Sequence, residues 1–292
     1  MPLTVVIATR NRREELLATL ARQAALPERP KIVVVDNGSG DGTADAVREA
    51  FPSVELVELR ENRAAAARTI GIELAGTELV ALSDDDSWWS PGSLARAEKI
   101  FARHPRLGLA AARVLVGELE DEDPTCLVMA ASPLERGQLP GPRVLGFLAC
   151  GAVVSRRAYL EAGGFEPRFG LACEERLLAI ELSRRGWELA YLPELVAHHH
   201  PSQLRDAALR RRLETRNSVW LAWLTYRTSR AIRESIRIAR GAIRDPSRRR
   251  GLVDALRDLL WVLPRRNPVA GKLEQDLLLL DGSRVVTTPA QQ

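Results

Sequence analysis

Short apolar runs alternate with amphipathic stretches through the first half of the chain. Leu3–Thr9 is rich in β-branched residues, and residues 12–23 then bring Leu16, Leu17 and Leu20 back at helical spacing. Further apolar runs follow at 31–35, 54–59 and 78–82, with helical stretches at 44–50 and 64–74 between them. Unbroken apolar strands interleaved with amphipathic helices predict an α/β fold with a mostly parallel sheet sandwiched by helices. Ser90-Pro91 reads as a cap and first helical residue, opening a helix that runs to about Arg103. A strand is expected at 109–116, then an acidic, Pro- and Gly-rich loop over 117–142 with one short strand at 126–130. Helices at 159–162 and 175–185 and a strand at 188–192 come next. From Ser202 onward the periodicity is almost purely helical. The pattern therefore divides into residues 1–201, an α/β domain, and 202–292, a helical C-terminal extension.

Composition sharpens this division. The chain has 292 residues, 46% hydrophobic and 27% charged, which are globular proportions and exclude wholesale disorder. Three widely spaced cysteines with no CxxC pair exclude a disulfide scaffold and a cysteine-only zinc site, and suit a reducing compartment. The apolar stretch at 252–263 is interrupted by Asp254, Arg257 and Asp258, and the start of the chain lacks a basic leader, so a cytoplasmic protein is expected. Residues 201–292 hold 19 Lys and Arg but 9 Asp and Glu, whereas the first 200 hold 23 basic and 29 acidic groups. An acidic body with a basic tail does not describe a nucleic-acid binder, whose positive charge sits on the folded face. None is expected as a partner.

Four constellations carry chemistry. The first runs Val33-Val34-Val35-Asp36-Asn37-Gly38-Ser39-Gly40-Asp41-Gly42-Thr43. A carboxylate closing a buried parallel strand sits where α/β sheets bind ligands, and the helix N-terminus that follows suits a phosphate. The dinucleotide fingerprint is absent, because Thr43 stands where its third glycine belongs. A plain turn capped by Asp41 or Thr43 would look the same. The second is Ser83-Asp84-Asp85-Asp86-Ser87 after an apolar strand. Hard oxygen ligands of this kind suit Mg2+ or Mn2+, although a solvated acidic turn is the simpler alternative. The third is Glu174-Glu175 at the start of a helix, below Gly163-Gly164-Phe165. Such a carboxylate can act as a general base, and it also complements the helix dipole with no further role. The fourth, His198-His199-His200, can supply at most one or two ligands to an ion.

In this order the four resemble the family 2 glycosyltransferases with a GT-A fold, over roughly residues 3–225. The resemblance implies an inverting hexosyl- or deoxyhexosyl-transferase that takes a UDP-, dTDP- or GDP-linked sugar and requires a divalent cation, Mn2+ or Mg2+. It places Thr9, Arg10, Asn11, Asp36, Asn37, Ser39, Asn62, Arg68, Asp84, Asp85 and Arg216 around the nucleotide-sugar. It assigns the metal to Asp86, Asp84, His199 and His198, the general base to Glu175 with Glu174 beside it, and the acceptor to Gly164, Phe165 and Trp88. The acceptor would be a glycan, a lipid-linked sugar or a small molecule, in cell-envelope or natural-product glycosylation. Ala64 and Thr69 stand where the family usually has Gly and Asn, and Leu177 replaces a frequent Asp. A sugar-nucleotidyltransferase or a non-catalytic sugar-nucleotide-binding protein is the alternative.

In the extension, Trp220, Trp223, Leu224, Ile232, Ile236 and Ile243 recur at helical spacing among Arg227, Arg230, Arg233, Arg237, Arg240 and Arg244. Such a helix can lie on the inner face of an anionic membrane, face a second subunit of a homodimer, or pack on its own domain.

Overall fold

Strand β1 (Leu3–Thr9) lies between β2 (Lys31–Asp36) and β4 (Leu79–Asp84), parallel to both, and β3 (Glu55–Glu58) adds parallel outside β2. The computed structural model describes residues 3–202 and 206–286. Met1, Pro2, residues 203–205 and the last six residues of the expected extension lie outside the described residues. The reason for the unbroken apolar runs is visible in the two cores. Val6, Val33, Val35, Val80 and Leu82 fill one face of the sheet, while Val5, Ile7, Val34, Leu79 and Ala81 fill the other. With both faces covered, successive central positions of β1, β2 and β4 are apolar and do not alternate with polar ones.

The second half of the sheet mixes directions. β5 (Ser87–Trp89), β6 (Leu107–Val116), β7 (Asp121–Glu122), β8 (Ala152–Ser155) and β9 (Glu188–His199) complete the order β3-β2-β1-β4-β8-β6-β9-β5, with β7 beside β6. β6 and β9 are parallel, whereas β8 runs antiparallel to β4 and β6. α1 (Arg13–Ala24), α2 (Thr43–Ala50), α3 (Ala67–Leu74) and α4 (Ser93–Arg103) are the helices expected between the first strands.

Three local expectations are corrected. Residues 126–130 form a helix, α5 (Pro124–Ala130), not a strand. Asp123 caps it by accepting from the Thr125 amide at 2.7 Å, and Pro124 occupies the first turn, where a missing N–H costs nothing. The helix after Ser90-Pro91 begins at Ser93, with Gly92 at φ 84° in the cap position. The Ser90 hydroxyl is instead bonded to His198 Nε2 at 2.7 Å. The strand expected at 188–192 continues to His199, because β6 accompanies it beyond an irregularity at Ala112/Arg113.

Contacts divide the chain into one compact unit of Met1–Pro167 with Leu178–Gln203 and a second of Arg168–Leu177 with Leu204–Gln292. The first contains the sheet, α6 (Arg156–Glu161) and most of α7 (Glu174–Arg184). The second is helical: α8 (Ala207–Thr225), α9 (Thr228–Ala242), α10 (Pro246–Arg257), α11 (Leu259–Val262) and α12 (Gly271–Val286). α8 and α10 approach closely at Gly251, where a Cβ would stand 2.3 Å from the Arg212 carbonyl oxygen. Among the described residues no helix is long and apolar enough to cross a membrane.

The single amphipathic stripe expected from Trp220 to Ile243 is also corrected. The chain is extended at Tyr226 (ψ 156°), which separates α8 from α9. Trp220 and Leu224 are buried, the Trp220 ring lying 5.9 Å from Phe169 and 5.2 Å from Trp261. Ile232, Ile236 and Ile243 are exposed. The same periodicity thus served a core in one helix and a surface in the next.

Candidate active site

Parallel register brings the chemistry to one edge. Thr9 is aligned with Asp36, and Ala8 with Asp84, so the carboxyl ends of three neighbouring strands present a hydroxyl and two carboxylates together. That edge is where open α/β sheets bind ligands.

The loop after β2 is held by side chains from the loop after β1. The Asp36 carboxylate accepts from the Ser39 amide at 2.9 Å, and the Ser39 hydroxyl accepts from the Asn11 amide at 2.9 Å. Asn11, at φ 52°, accepts in turn from the Gly40 amide at 2.8 Å. Asn37 accepts from the Arg63 amide and donates to the Ala64 carbonyl, and Asn62 caps the Ala64 amide at 2.8 Å. Ala64 stands at φ 47°, which explains the glycine usual at this place in the family resembled. Thr9, Asn11, Asp36, Asn37, Ser39 and Asn62 are therefore joined in one loop system. Arg10 is exposed beside it.

The acidic triplet divides into three different environments. Asp84, at the end of β4, is paired with the Arg68 guanidinium. Asp85 is buried, its carboxylate accepting from the Thr9 hydroxyl at 2.9 Å. Burial pushes its carboxyl up to about 7, with the charges of Asp84 and Asp86 adding to the effect against the pull of Arg12. Asp86 is 5% exposed and accepts from the Ser202 amide at 3.1 Å and from Arg12 at 3.4 Å. A solvated acidic turn would look different: carboxylates this deep require partners.

β9 delivers the histidines to opposite sides, as successive strand residues must be. His199 Nε2 lies 3.3 Å from Asp86, and the donor atoms of His199, Asp84 and Cys150 lie within 4.8 Å of one another. His198 points the other way. Its ring stacks on Trp88 at 5.4 Å, its Nδ1 faces Glu120 at 2.9 Å, and burial lowers its pKa against the pull of that carboxylate. The structure does not bring His198 to the Asp84–His199 cluster. Trp88 is covered by Arg22, 3.9 Å from the ring centroid. Phe165 belongs to the core at 2% exposure, packed edge-on against Tyr159, so its side chain is not offered to an acceptor. Gly164 is required by packing: at φ 69°, its Cβ would stand 2.9 Å from both Thr69 and Tyr159.

In the second unit, Glu174 and Glu175 open α7 after a strained turn. Ala172 (φ 72°) and Cys173 (φ 67°) are consecutive non-glycine residues in the left-handed region, which costs about 1–2 kcal/mol each. Buried Asn217 holds the turn by donating to the carbonyls of Phe169, Leu171 and Ala172 at 2.7–2.8 Å. Arg216 donates to the carbonyls of Arg168 and Phe169, both at 2.9 Å, and lies over Trp220. The structure thus places Arg216 against this loop. Glu174 is buried and Glu175 half-buried.

Arg12 and Cys150 are functional candidates that the sequence reading did not assign. Arg12 directly follows Thr9, Arg10 and Asn11 and could have been found there. Nothing around Cys150 marks it in sequence.

The sheet and its helices form a GT-A-type α/β unit with an acidic, metal-compatible edge. Residues 4–164 match the model of glycosyl transferase family 2, and the chain belongs to that family. It is 27% identical over 301 residues to N-acetylglucosaminyl-diphospho-decaprenol L-rhamnosyltransferase of Mycobacterium tuberculosis, covering 85% of this chain and 96% of that protein. A validoxylamine A glucosyltransferase of Streptomyces hygroscopicus subsp. limoneus is 35% identical over 129 residues, 42% of this chain and 27% of its own. Among solved structures, the mannosyltransferase PcManGT of Pyrobaculum calidifontis, in complex with GDP-Man and Mn2+, superposes with a TM-score of 0.60 at 22% identity, over 98% of this chain and 80% of that one. S. aureus TarS 1-349 in complex with UDP-GlcNAc gives 0.61 at 15% identity, over 98% and 88%. The protein is a glycosyltransferase.

Proposed function

We propose that the protein transfers a sugar from a nucleotide-diphospho-sugar to an acceptor hydroxyl in one displacement, with inversion at the anomeric carbon. The observation that carries this reading is the strand register that sets Thr9, Asp36 and Asp84 on one edge. Asp36 would accept from the base, and Asp84 or Asp85 from the ribose. Glu175, the more accessible of the acidic pair, would take the proton of the attacking hydroxyl, while Glu174 stays buried beside it. A single displacement from the opposite face inverts configuration, by the logic that governs inverting hydrolases.

A divalent ion fits the donor set. Asp84, Asp86 and His199 would hold it, where it would neutralise charge on the leaving diphosphate. PcManGT and GalNAc-T7 were solved with Mn2+, which supports the same chemistry here. The test is a screen of UDP-, dTDP- and GDP-sugars for release of the nucleoside diphosphate with and without Mn2+. One donor consumed with Mn2+ and spared with chelator supports the reading; no donor consumed under either condition overturns it.

For the acceptor we propose a sugar carried on a polyprenyl diphosphate. The name of the mycobacterial relative specifies such a compound, and α9 supports presentation at a membrane. At about 100° per residue, Ile232, Ile236 and Ile243 fall within about 40° of one another, and Arg233, Arg240 and Arg244 follow along one flank. An exposed isoleucine stripe bordered by arginines suits an anionic lipid interface.

A further inference from the structure

The antiparallel pairing of β4 with β8 matches Leu79 with Ser155 and Leu82 with Ala152. That pairing ends at Leu82 and Ala152, and Asp84 closes β4 where Cys150 lies in the short helical turn Ala149–Gly151 that leads into β8. The turn is pinned. Gly151 packs so closely that a Cβ there would stand 2.6 Å from Val114, and the Cys150 carbonyl accepts from the Ser87 hydroxyl at 3.4 Å. Ser87 is in turn the β5 partner of His199 on β9. Three strand ends therefore converge, and their donor atoms (an Asp84 oxygen, the Cys150 sulfur and a His199 nitrogen) lie within 4.8 Å of one another. Cys150 is 5% exposed and is not in a disulfide.

From this convergence we infer that Cys150 is a ligand of the divalent ion, giving the site a mixed oxygen, nitrogen and sulfur donor set. The inference rests on the metal-assisted reading above and deepens it. Cysteine binds a metal as thiolate, releasing its proton to solvent on coordination. Hard Mg2+ and Mn2+ favour oxygen, while thiolate and imidazole together favour softer ions such as Zn2+ and Co2+. Asp86, 3.3 Å from His199 Nε2, adds a second carboxylate beside this cluster. The site is therefore built to accept a softer ion than an all-carboxylate site would, and Cys150 sets that preference.

The test is cobalt absorption. Metal-free protein titrated with Co2+ under reducing conditions should develop an intense near-ultraviolet band from sulfur-to-cobalt charge transfer. Cys150→Ser should lose that band, whereas Cys173→Ser should keep it. In competition titrations, the preference for Zn2+ over Mn2+ should fall at least about tenfold in Cys150→Ser, the lower end of what even a supporting group is worth to a metal site. A band absent from the wild type, or one that survives Cys150→Ser, overturns the inference. Should Cys150→Ser fail to fold, X-ray absorption on the zinc-loaded wild type decides: one sulfur at about 2.3 Å is expected, and a shell of nitrogen and oxygen alone overturns it. Release of nucleoside diphosphate with Mn2+ in the absence of any sulfur signature would leave the metal-assisted reading standing and remove only the role of Cys150.

Discussion

Asn217 donates its side-chain amide to the carbonyl of Ala172 at 2.7 Å, and Ala172 stands in the left-handed region immediately before Cys173 and the acidic pair. One buried amide thereby stabilises a backbone that its own residues resist. Removing it should release the turn, and with it the direction of Glu175. We expect Asn217→Ala to lower kcat at least about tenfold with little change in donor KM. Adding Ala172→Gly should restore part of the loss, because glycine adopts this φ without strain. Steady-state kinetics on the single and double variants checks this; equal losses in kcat and donor affinity with no glycine rescue would make Asn217 a general structural residue.

Glu175→Gln keeps the shape of the side chain and removes its capacity to take a proton. Turnover should fall by about 10²–10⁴-fold while donor binding, read by calorimetry, stays unchanged. A variant that turns over normally would shift the role to Glu174.

Cys173 offers a chemical probe of the same loop. Burial pushes its thiol up to about 11, with Glu174 and Glu175 acting in the same direction against a bond with Ser218. The thiolate is the disfavoured form, so alkylation at pH 8 should run about a hundredfold slower than for a free cysteine and accelerate as pH rises toward 11. Mass mapping of iodoacetamide adducts on the native protein reads this rate. Labelling as fast as a model thiol would mean that the loop opens.

Gly71 marks where α3 meets the sheet. A Cβ there would stand 2.5 Å from a methyl of Val6, which is itself buried. Gly71→Ala should destabilise by about 1–3 kcal/mol through overpacking. Gly40→Ala, with nothing within 4 Å, should leave the denaturation midpoint nearly unchanged. Chemical denaturation of both variants provides the comparison.

The two halves of the former stripe should separate in experiment. Trp220→Ala should cost about 3–5 kcal/mol, since the ring is buried between Phe169 and Trp261. Ile236→Glu should leave the thermal midpoint in place and reduce sedimentation with vesicles containing anionic lipid. High salt should weaken that binding, because attraction of about 1 kcal/mol per arginine decays within a Debye length. Wild-type protein that ignores anionic vesicles at low salt would remove the membrane reading.

The sequence by itself determined the parallel strands and the ends they present. Period and apolar run length follow from local chemistry, and a strand buried on both faces cannot hide its pattern. Asp36 and the Asp84–Asp86 triplet were legible for the same reason, since carboxylates that close a buried apolar strand are costly unless a ligand or a polar partner meets them. Only the tertiary structure decided what those groups meet. The turn that leads into β8 brings Cys150 within reach of Asp84 at the end of β4, the pleat turns His199 toward Asp86 and His198 toward Trp88, and an extended Tyr226 divides one helical stripe into core and surface. Each of these depends on pairing between residues far apart in the chain. Neither periodicity nor spacing encodes such pairing, which is settled when whole elements compete for burial.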